Sequence, residues 1–410
     1  MQQAGGPAMR RGTMAVIIAL ILTGVVLRVG VMMASKHHYL ESGPEYGLHD
    51  IHAWVITGTM ILEGRDPYVE TYMLGFAPGW SWISAGVVAV AGKLGLGPWG
   101  AAVLIKLILI AADVVLILLV MKICMMLGKW PVIPVALLAI NPVTVMTTGY
   151  QGQFDNITLI FVALMTILFL KWKQAGGPAV KDRRRSLISG ALIGLSTTLK
   201  HASGPVFLFL YREFRNWKLW ISAVLVALFI FLLSFVPHLS SAGPAEIAHD
   251  VFQHERTVGT IWYHITSLLS TGQIHRLLQQ LIWLSILAFT AFVVNRKRMP
   301  IINAITIYYI TIVLFMPNFA RHYLVYPLVF GAIAYPLAAG IYSMVVTFFL
   351  FTMLRGSGPL MVAELNTPTW ILFFALFCWW CLAIMGRNAA GQVTDHGDGP
   401  SPPEGTSLLP

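Results

Sequence analysis

Long apolar runs recur along the whole chain and constrain its fold more than any other feature. The first of them, Thr13–Met33, is typical, because about 20 apolar residues in a helix cross the roughly 30 Å hydrocarbon core of a bilayer. Only 11% of the residues are charged and the mean hydropathy is +0.75, whereas a soluble domain carries about 25% charged residues. The sequence therefore predicts an all-α polytopic membrane protein, a helical bundle of about 12 spans.

The net charge of +10 is carried by basic residues in the short connections between apolar runs. Such residues cluster at 171–185 and at 295–298, and an excess of Lys and Arg is typical of cytoplasmic loops. The charge therefore indicates orientation, and we expect a lipid bilayer and no nucleic acid as partner. Arg10 and Arg11 precede the first span, so both termini are expected to be cytoplasmic, in a plasma, inner or endoplasmic reticulum membrane.

The basic loops also orient the polar sequence "GYQGQFDN" (149–156). If 171–185 is cytoplasmic, the helix at about 155–170 runs from outside to inside, and a helix at 131–148 runs the other way. The polar residues between these two helices then lie on the external side of the membrane.

When the helix directions are followed back along the chain from these basic loops, both ends of the apolar stretch 77–95 lie on the external side. We expect an interfacial or re-entrant helix there, with Pro78 near its start and Trp80 and Trp82 as interface anchors. The alternative is an ordinary span. Under the first interpretation, residues 34–98 form one large external loop that contains interfacial helices.

A second irregularity follows the basic loop. The stretch 186–218 begins beside arginines and ends at basic residues, so it must reverse direction within the membrane. The sequence "KHASGP" marks the break, which places Lys200 and His201 in the external half. Broken helices and buried charges are costly in lipid and are tolerated where they line a cavity.

These assignments divide the chain into three parts. Residues 1–13 are expected to be a cytoplasmic N-terminus and residues 14–386 a transmembrane domain. Residues 387–410 are rich in Gly, Pro and Asp, and this composition predicts a disordered cytoplasmic tail.

With this topology, the unusual polar residues share the external face. They lie at Asp50, His52, Arg65, Asp66, Gln151, Gln153, Asp155, Asn156, Lys200, His201, 254–264 and 318–323. Cations at a membrane-level pocket stabilise phosphate oxygens, and a carboxylate can take a proton from a hydroxyl. The pattern favours chemistry on an anionic substrate at the external membrane surface.

Five stretches in this order resemble the GT-C superfamily of integral membrane glycosyltransferases. They are "HDIHAW…LEGRDPYVETYMLGFAPGWSWI", "VLIKLILIAADVVLIL", "NPVTVMTTGYQGQFDNITLI", "LSTTLKHASGPVFLF" and "NFARHYLVYPL". The likeness is to the dolichyl-phosphate-glucose-dependent glucosyltransferases and their bacterial mannosyl- and glucosyltransferase relatives. The chain departs from the family at Ala77-Pro78-Gly79, in place of a doubled aromatic–proline motif, and at Gln151-Gly152, in place of a His.

The resemblance implies an enzyme, a hexosyltransferase with a GT-C-type fold. Its donor would be a polyprenyl-phosphate-linked mannose or glucose, and its acceptor a lipid-linked glycan, a glycolipid or another hydroxyl compound. Because a D-x-D motif is absent, we expect no metal and no other cofactor. The alternative is a secondary transporter or a flippase for a glycolipid or anionic lipid, although the sequence has no inverted repeat.

Each candidate site residue also has a structural interpretation. Asp50 is the candidate general base of an inverting transfer, or the N-cap of the helix that follows. His52 orients the acceptor or phosphate, or is an interfacial histidine. The remaining candidates are expected to bind substrate, or instead to cap helices, to extend to the interface or to lie in a solvated loop. These substrate-binding candidates are Gln153, Asp155, Asn156, Lys200, His201, His254, Arg256, Arg321 and His322.

Lys106 and Asp113 are seven residues apart in one apolar run. This spacing is two helical turns on one face. We expect the two side chains to satisfy each other or groups on neighbouring helices.

Overall fold

A computed structural model gives the fold of most of the chain. It describes residues 11–41, 49–71, 76–175, 179–214, 216–253, 276–316, 321–355 and 375–384, and every regular element among them is helical. The expected tail at 387–410 lies outside the described residues.

Several helices of the first half contact the polar turn at 149–156. In chain order, the helices of this half are α1 (Arg11–Ala34), α2 (Lys36–Glu41), α3 (His49–Leu62), α4 (Pro67–Glu70), α5 (Gly79–Lys93), α6 (Pro98–Met126), α7 (Val132–Ala139), α8 (Pro142–Gln151) and α9 (Asp155–Ala175).

The second half continues the bundle. Its helices are α10 (Ala179–Leu199), α11 (Val206–Phe209), α12 (Trp217–Leu233), α13 (Gly243–Gln253), α14 (Arg276–Arg296), α15 (Ile301–Phe315), α16 (Tyr326–Ala334), α17 (Pro336–Arg355) and α18 (Ala375–Ile384). Short 3-10 turns lie at His201–Ser203, Tyr211–Glu213, Val236–His238 and Arg321–Val325.

The described residues contain five helices long and apolar enough to cross a membrane. They are Arg11–Ala34, Pro98–Met126, Asp155–Gln174, Trp217–His238 and Leu278–Arg296, and the bent pair α7–α8 would be a sixth. Others are apolar but short: a 15-residue helix such as Ile301–Phe315 extends roughly 22 Å, less than the roughly 30 Å hydrocarbon core. A helical membrane protein agrees with this fold, but the expected 12 spans are not confirmed.

The segment predicted to be an external loop folds largely as α2 to α5. α5 begins directly after Pro78 and has 15 residues, which is short for an ordinary span. It packs closely on α3, since a Cβ on Gly58 would lie 2.9 Å from the Ser84 carbonyl carbon. Trp82 is 45% exposed but Trp80 is 1% exposed, so the expectation that both are interface anchors is wrong for Trp80.

The expected single helix at 131–148 is in fact bent. α7 and α8 meet at an angle of 43°. The Asn141 side chain accepts a hydrogen bond from the backbone N–H of Val143, and Pro142 is the first residue of α8. An Asn cap followed by Pro starts a new helix, because Pro has no N–H to donate to the preceding turn.

The break expected at "KHASGP" is present, but its two arms differ from expectation. α10 ends at Leu199 and a 3-10 turn follows at His201–Ser203. The first arm has 21 residues and begins at Ala179, within the basic stretch that was expected to be a loop. Lys and Arg are good helix formers, so a basic stretch can continue a helix. The second arm is only the four-residue α11.

We predict that the C-terminal end of α5 faces outside. Lys93 is exposed in its last turn, so a cysteine in its place should react with an impermeant thiol reagent added to intact cells. The background would carry Ser in place of Cys378 and Cys381, which are not buried.

The matched control is a cysteine at Arg184, an exposed position in the basic stretch, which should react only after permeabilisation. If the cysteine at Lys93 also required permeabilisation, residues 77–95 would not have the predicted orientation.

Candidate active site

The turn at 149–156 is an irregular connection between α8 and α9. α8 finishes as a π-helical turn over Met146–Gln151, and Gly152 follows with a φ of 70°. This left-handed conformation favours glycine. The side-chain N–H of Trp54 donates to the Gly152 carbonyl at 3.1 Å, and a Cβ on Gly152 would lie 3.0 Å from Ile51 Cδ1. The turn is therefore pressed against the first two turns of α3.

A buried ion pair lies directly after this turn. Lys200 Nζ donates to Asp155 Oδ1 at 2.6 Å, and the side chains are 0% and 1% exposed. Lys200 follows the last residue of α10, and Asp155 is the first residue of α9. The helix break thus brings the cation to the start of the neighbouring span, which is where a buried charge can be paired.

Aromatic rings surround the Lys200 ammonium. Nζ lies 5.1 Å from the ring centroid of Phe76, 5.4 Å from Phe154, 4.4 Å from Tyr323 and 5.9 Å from Tyr326. Each distance is within the range of a cation–π interaction. The ion pair is therefore enclosed by rings from three separate segments of the sequence.

The aromatic enclosure extends to α3 and α5. Phe154 stacks on Trp80 with ring centroids 4.7 Å apart, and its edge meets Trp54 at 5.1 Å. Tyr68 contributes from α4, with its hydroxyl donating to the Phe76 carbonyl at 2.7 Å. These contacts join the segment predicted to be the first external loop to the ion pair.

A second ion pair, which the sequence analysis missed, lies deeper in the first helices. Arg28 of α1 donates to Asp113 Oδ2 at 2.6 Å, and its side chain is 2% exposed. It also donates to the carbonyls of Gly24, Ala139 and Leu138 and to the Thr144 hydroxyl. An isolated Arg within the first apolar run was the available signal, because such residues in membrane helices are rare and paired.

Asp113 connects this second pair to the turn. Its Oδ1 accepts from the Asn156 side-chain amide at 3.0 Å, and the same amide donates to the Leu109 carbonyl at 2.6 Å. The Asn156 side-chain NH2 group therefore bridges α9 to α6 and does not cap a helix. The Oδ1 atom of the same side chain accepts a hydrogen bond from the Ile157 N–H. The Asp155 carboxylate likewise binds Lys200 rather than capping α9.

Lys106 and Asp113 do not pair with each other. Lys106 Nζ donates to the Ser35 hydroxyl and to the Tyr150 carbonyl, each at 2.8 Å. Seven residues separate the two side chains by roughly 10 Å along the helix axis, too far for direct contact. The other expected outcome, that each side chain interacts with groups outside α6, is confirmed.

Asp50 lies in the first turn of α3 and is half-buried. Its carboxylate makes no hydrogen bond or ion pair with another residue in the described ranges. It is four residues before Trp54, so the two side chains share one face of the helix. Asp50 therefore lies one turn from the aromatic enclosure. Its assignment as a general base remains a prediction.

His52 is held by α2. Its ring stacks on Tyr39 with centroids 4.0 Å apart, and Nε2 lies 3.1 Å from the Tyr39 carbonyl. Burial raises the pKa of the Tyr39 hydroxyl to about 12, so the stacked ring stays neutral. This arrangement fixes the orientation of the His52 ring. Contact of His52 with substrate remains a prediction.

The other candidates divide between the site and undescribed parts of the chain. His201 begins the 3-10 turn beside Lys200, and His322 is close enough to Asp155 to interact with its charge. Gln153, within the turn, is fully buried. His254 and Arg256 lie outside the described residues, as does the Arg321 side chain. Substrate binding by Gln153, Asp155, Asn156, Lys200, His201, His254, Arg256, Arg321 and His322 remains a prediction.

The site combines a half-buried carboxylate with fixed cations and an aromatic floor. Such a carboxylate can accept a proton from a bound hydroxyl.

Within the described ranges, no group of three or more His, Cys, Asp or Glu side chains is placed to hold a metal ion. No protein-family model matches the chain, and no curated protein matches it.

The Arg28–Asp113 pair should be essential for stability. Arg28→Met leaves a buried carboxylate without its cation and should lower the free energy of unfolding by about 3–5 kcal/mol. The double variant Arg28→Met/Asp113→Leu should recover much of that loss. Thermal unfolding in detergent, followed by tryptophan fluorescence, would measure both effects.

Arg65→Met is the control for the Arg28 variants, because it removes exposed ion pairs with Glu63 and Glu70. Exposed pairs contribute little, so stability should hardly change. Equal losses in the Arg28 and Arg65 variants would contradict the importance of the buried pair.

The close packing of Gly152 against Ile51 gives a further prediction. Gly152→Ala should lower stability by more than the left-handed backbone cost of about 1–2 kcal/mol, because its Cβ would press on Ile51. Gly95→Ala is the matched control, since Gly95 has a φ of 67° with nothing within 4 Å of its Cβ position.

Thermal unfolding of the two glycine variants measures the difference. Equal destabilisation would show that α3 does not press on the turn.

Proposed function

We propose that the chain is an integral membrane glycosyltransferase. It transfers a hexose from a polyprenyl-phosphate donor to an acceptor hydroxyl at the end of the bundle formed by α3 and the 149–156 turn. The observation that carries this proposal is the convergence of the five sequence segments that resemble the GT-C superfamily. They supply, in turn, Trp54, Lys106, Asp155, Lys200 and Tyr323, all placed around one turn.

The convergence supports a common site, because the segments are far apart in the sequence. Trp54 and Lys106 bind the backbone of the turn at Gly152 and Tyr150. Lys200 binds Asp155 at the end of the turn, and the Tyr323 ring covers the ammonium. This common location supports the proposal that the five segments form one site.

In the proposed reaction, Asp50 takes the proton from the acceptor hydroxyl. The acceptor oxygen then forms a bond to the anomeric carbon, while the bond from that carbon to the phosphate oxygen breaks. The polyprenyl phosphate leaves with the electron pair, and the configuration of the sugar is inverted. The partly exposed first turn of α3 gives Asp50 access to a bound acceptor.

The sequence alone suggests that Lys200 binds substrate, but in this scheme its role is structural. Its ammonium is 0% exposed and already holds Asp155. We propose that it fixes the turn beneath the reacting groups. Contact with the donor phosphate is then assigned to His201, which lies beside Lys200 and is half-buried, and to Arg321, the first residue of the turn Arg321–Val325.

A transporter or flippase is the second candidate, and two observations favour it. Two helices are interrupted, α7–α8 by a 43° bend and α10 by the break at Lys200. Buried ion pairs lie beside both breaks. Discontinuous helices with membrane-depth charges are a feature of secondary transporters.

The experiment that separates these candidates uses the full chain in lipid nanodiscs. A panel of radiolabelled polyprenyl-phosphate mannose and glucose donors is incubated with it, and release or transfer of sugar is measured. A parallel assay in proteoliposomes follows movement of a fluorescent glycolipid between leaflets. Sugar turnover supports the transferase, whereas lipid movement without turnover would overturn it.

Asp50→Asn should lower the transfer rate about 10²–10⁴-fold, the usual contribution of a general base. Donor binding should be nearly unchanged, because the amide has almost the shape of the carboxylate. Single-turnover rates and equilibrium binding of the donor would separate the two quantities.

The matched control is Glu63→Gln, an exposed acid just after the other end of α3. It should transfer sugar at the normal rate. Near-normal transfer by Asp50→Asn would show that another acid is the base.

A further inference from the structure

A separate cavity lies at the opposite end of the bundle from the 149–156 turn. Its volume is about 520 Å³, within the range of small-molecule sites. It is formed by the ends of α6 and α9, the turn at Tyr211–Glu213, the start of α15 and the end of α16. Along α9, Lys173 lies roughly 27 Å from Asp155, nearly the thickness of a bilayer core.

The cavity has an apolar wall. Its apolar residues come from the end of α6, from α9 and from the start of α15. They are Met126, Leu127, Phe169, Leu170, Ile301 and Ile302. Such a wall is suited to hydrocarbon and offers nothing to a small free ion.

The rest of the lining is mainly polar and basic. Lys129 and Lys173 line the cavity together with the Gln174 and Asn303 amides. Lys173 is exposed and makes no hydrogen bond or ion pair within the described part of the chain. Lys129 Nζ donates to the Ile333 carbonyl at 2.7 Å, so its charge is held at the cavity.

The start of α15 adds to the positive potential. Pro300 precedes its first turn, and no side chain caps it. The N-terminal N–H groups of a helix carry partial positive charge and favour an anion. Arg296, Lys297 and Arg298 lie two to four residues before Pro300, so three further cations are close in sequence to this helix start.

Glu213 is the acid that lines this cavity. Burial raises the pKa of its carboxyl, and the nearby Lys173 ammonium opposes that rise. Lys129 and Lys173 outnumber this acid in the cavity lining. The remaining balance at the cavity is positive.

We propose that this cavity binds an anionic membrane phospholipid, with the headgroup phosphate at Lys173 and the adjoining hydrocarbon against the apolar wall. A basic pocket between helices at a membrane surface is suited to such a headgroup. The apolar wall favours a lipid over free phosphate. This site is independent of the proposed transferase reaction.

The test measures binding of dioleoyl phosphatidylglycerol to the full chain in detergent by native mass spectrometry. Dioleoyl phosphatidylcholine and inorganic phosphate are the comparison ligands. We expect phosphatidylglycerol to bind in preference to phosphatidylcholine. Lys173→Gln should weaken its binding roughly fivefold, the effect of one basic residue at a lipid surface.

Three further variants make the test specific. Lys171→Gln removes an exposed charge from the same helix end but does not line the cavity, so it should bind normally. Glu213→Gln should tighten binding, because it removes the acid. Ala334→Trp should block the apolar space without changing charge, and thermal unfolding without lipid checks that each variant is folded.

Several outcomes would overturn the proposal. They are equal binding of the two phospholipids, equal losses in Lys171→Gln and Lys173→Gln, and no effect of Ala334→Trp. If inorganic phosphate displaced phosphatidylglycerol and still bound to the Ala334→Trp variant, the cavity would be a site for the free anion instead.

Discussion

The buried guanidinium of Arg28 is the interaction on which the first half of the structure depends. Removing a charge from water is costly unless geometry and hydrogen bonds offset it. Arg28 meets this condition by binding Asp113 on α6 and the last carbonyls of α7. Because α1, α6 and the α7–α8 bend must all be in place for this pairing, the charge selects one arrangement of these helices.

Hydrogen bonds connect both buried ion pairs to one short turn. Asp113, the partner of Arg28, accepts a hydrogen bond from Asn156, whereas Lys200 donates to Asp155. Asn156 and Asp155 are adjacent in sequence, so displacement of either network moves the same backbone. Helices from both halves of the chain are thereby tied to the position at which α3 packs on the turn.

Sequence reasoning predicted those features that leave a local signature. Polar residues at 149–156 and the break at Lys200 stand out against apolar surroundings, and the structure places both together. The partners could not be predicted, because the pairing of Arg28 with Asp113 depends on which helices are neighbours. A direct pairing of Lys106 with Asp113 is excluded by the spacing itself, because seven residues of helix separate the two by roughly 10 Å along the axis.

The π-helical turn at Met146–Gln151 has a consequence for how this chain can vary. A π turn holds one residue more than the α-helical turn it replaces, and such turns are often found at functional sites. Loss of one residue there would restore regular winding and change which backbone carbonyls the turn presents to its neighbours. The Tyr150 carbonyl would then leave Lys106, so the length of this stretch is as strict a requirement as the identity of its residues.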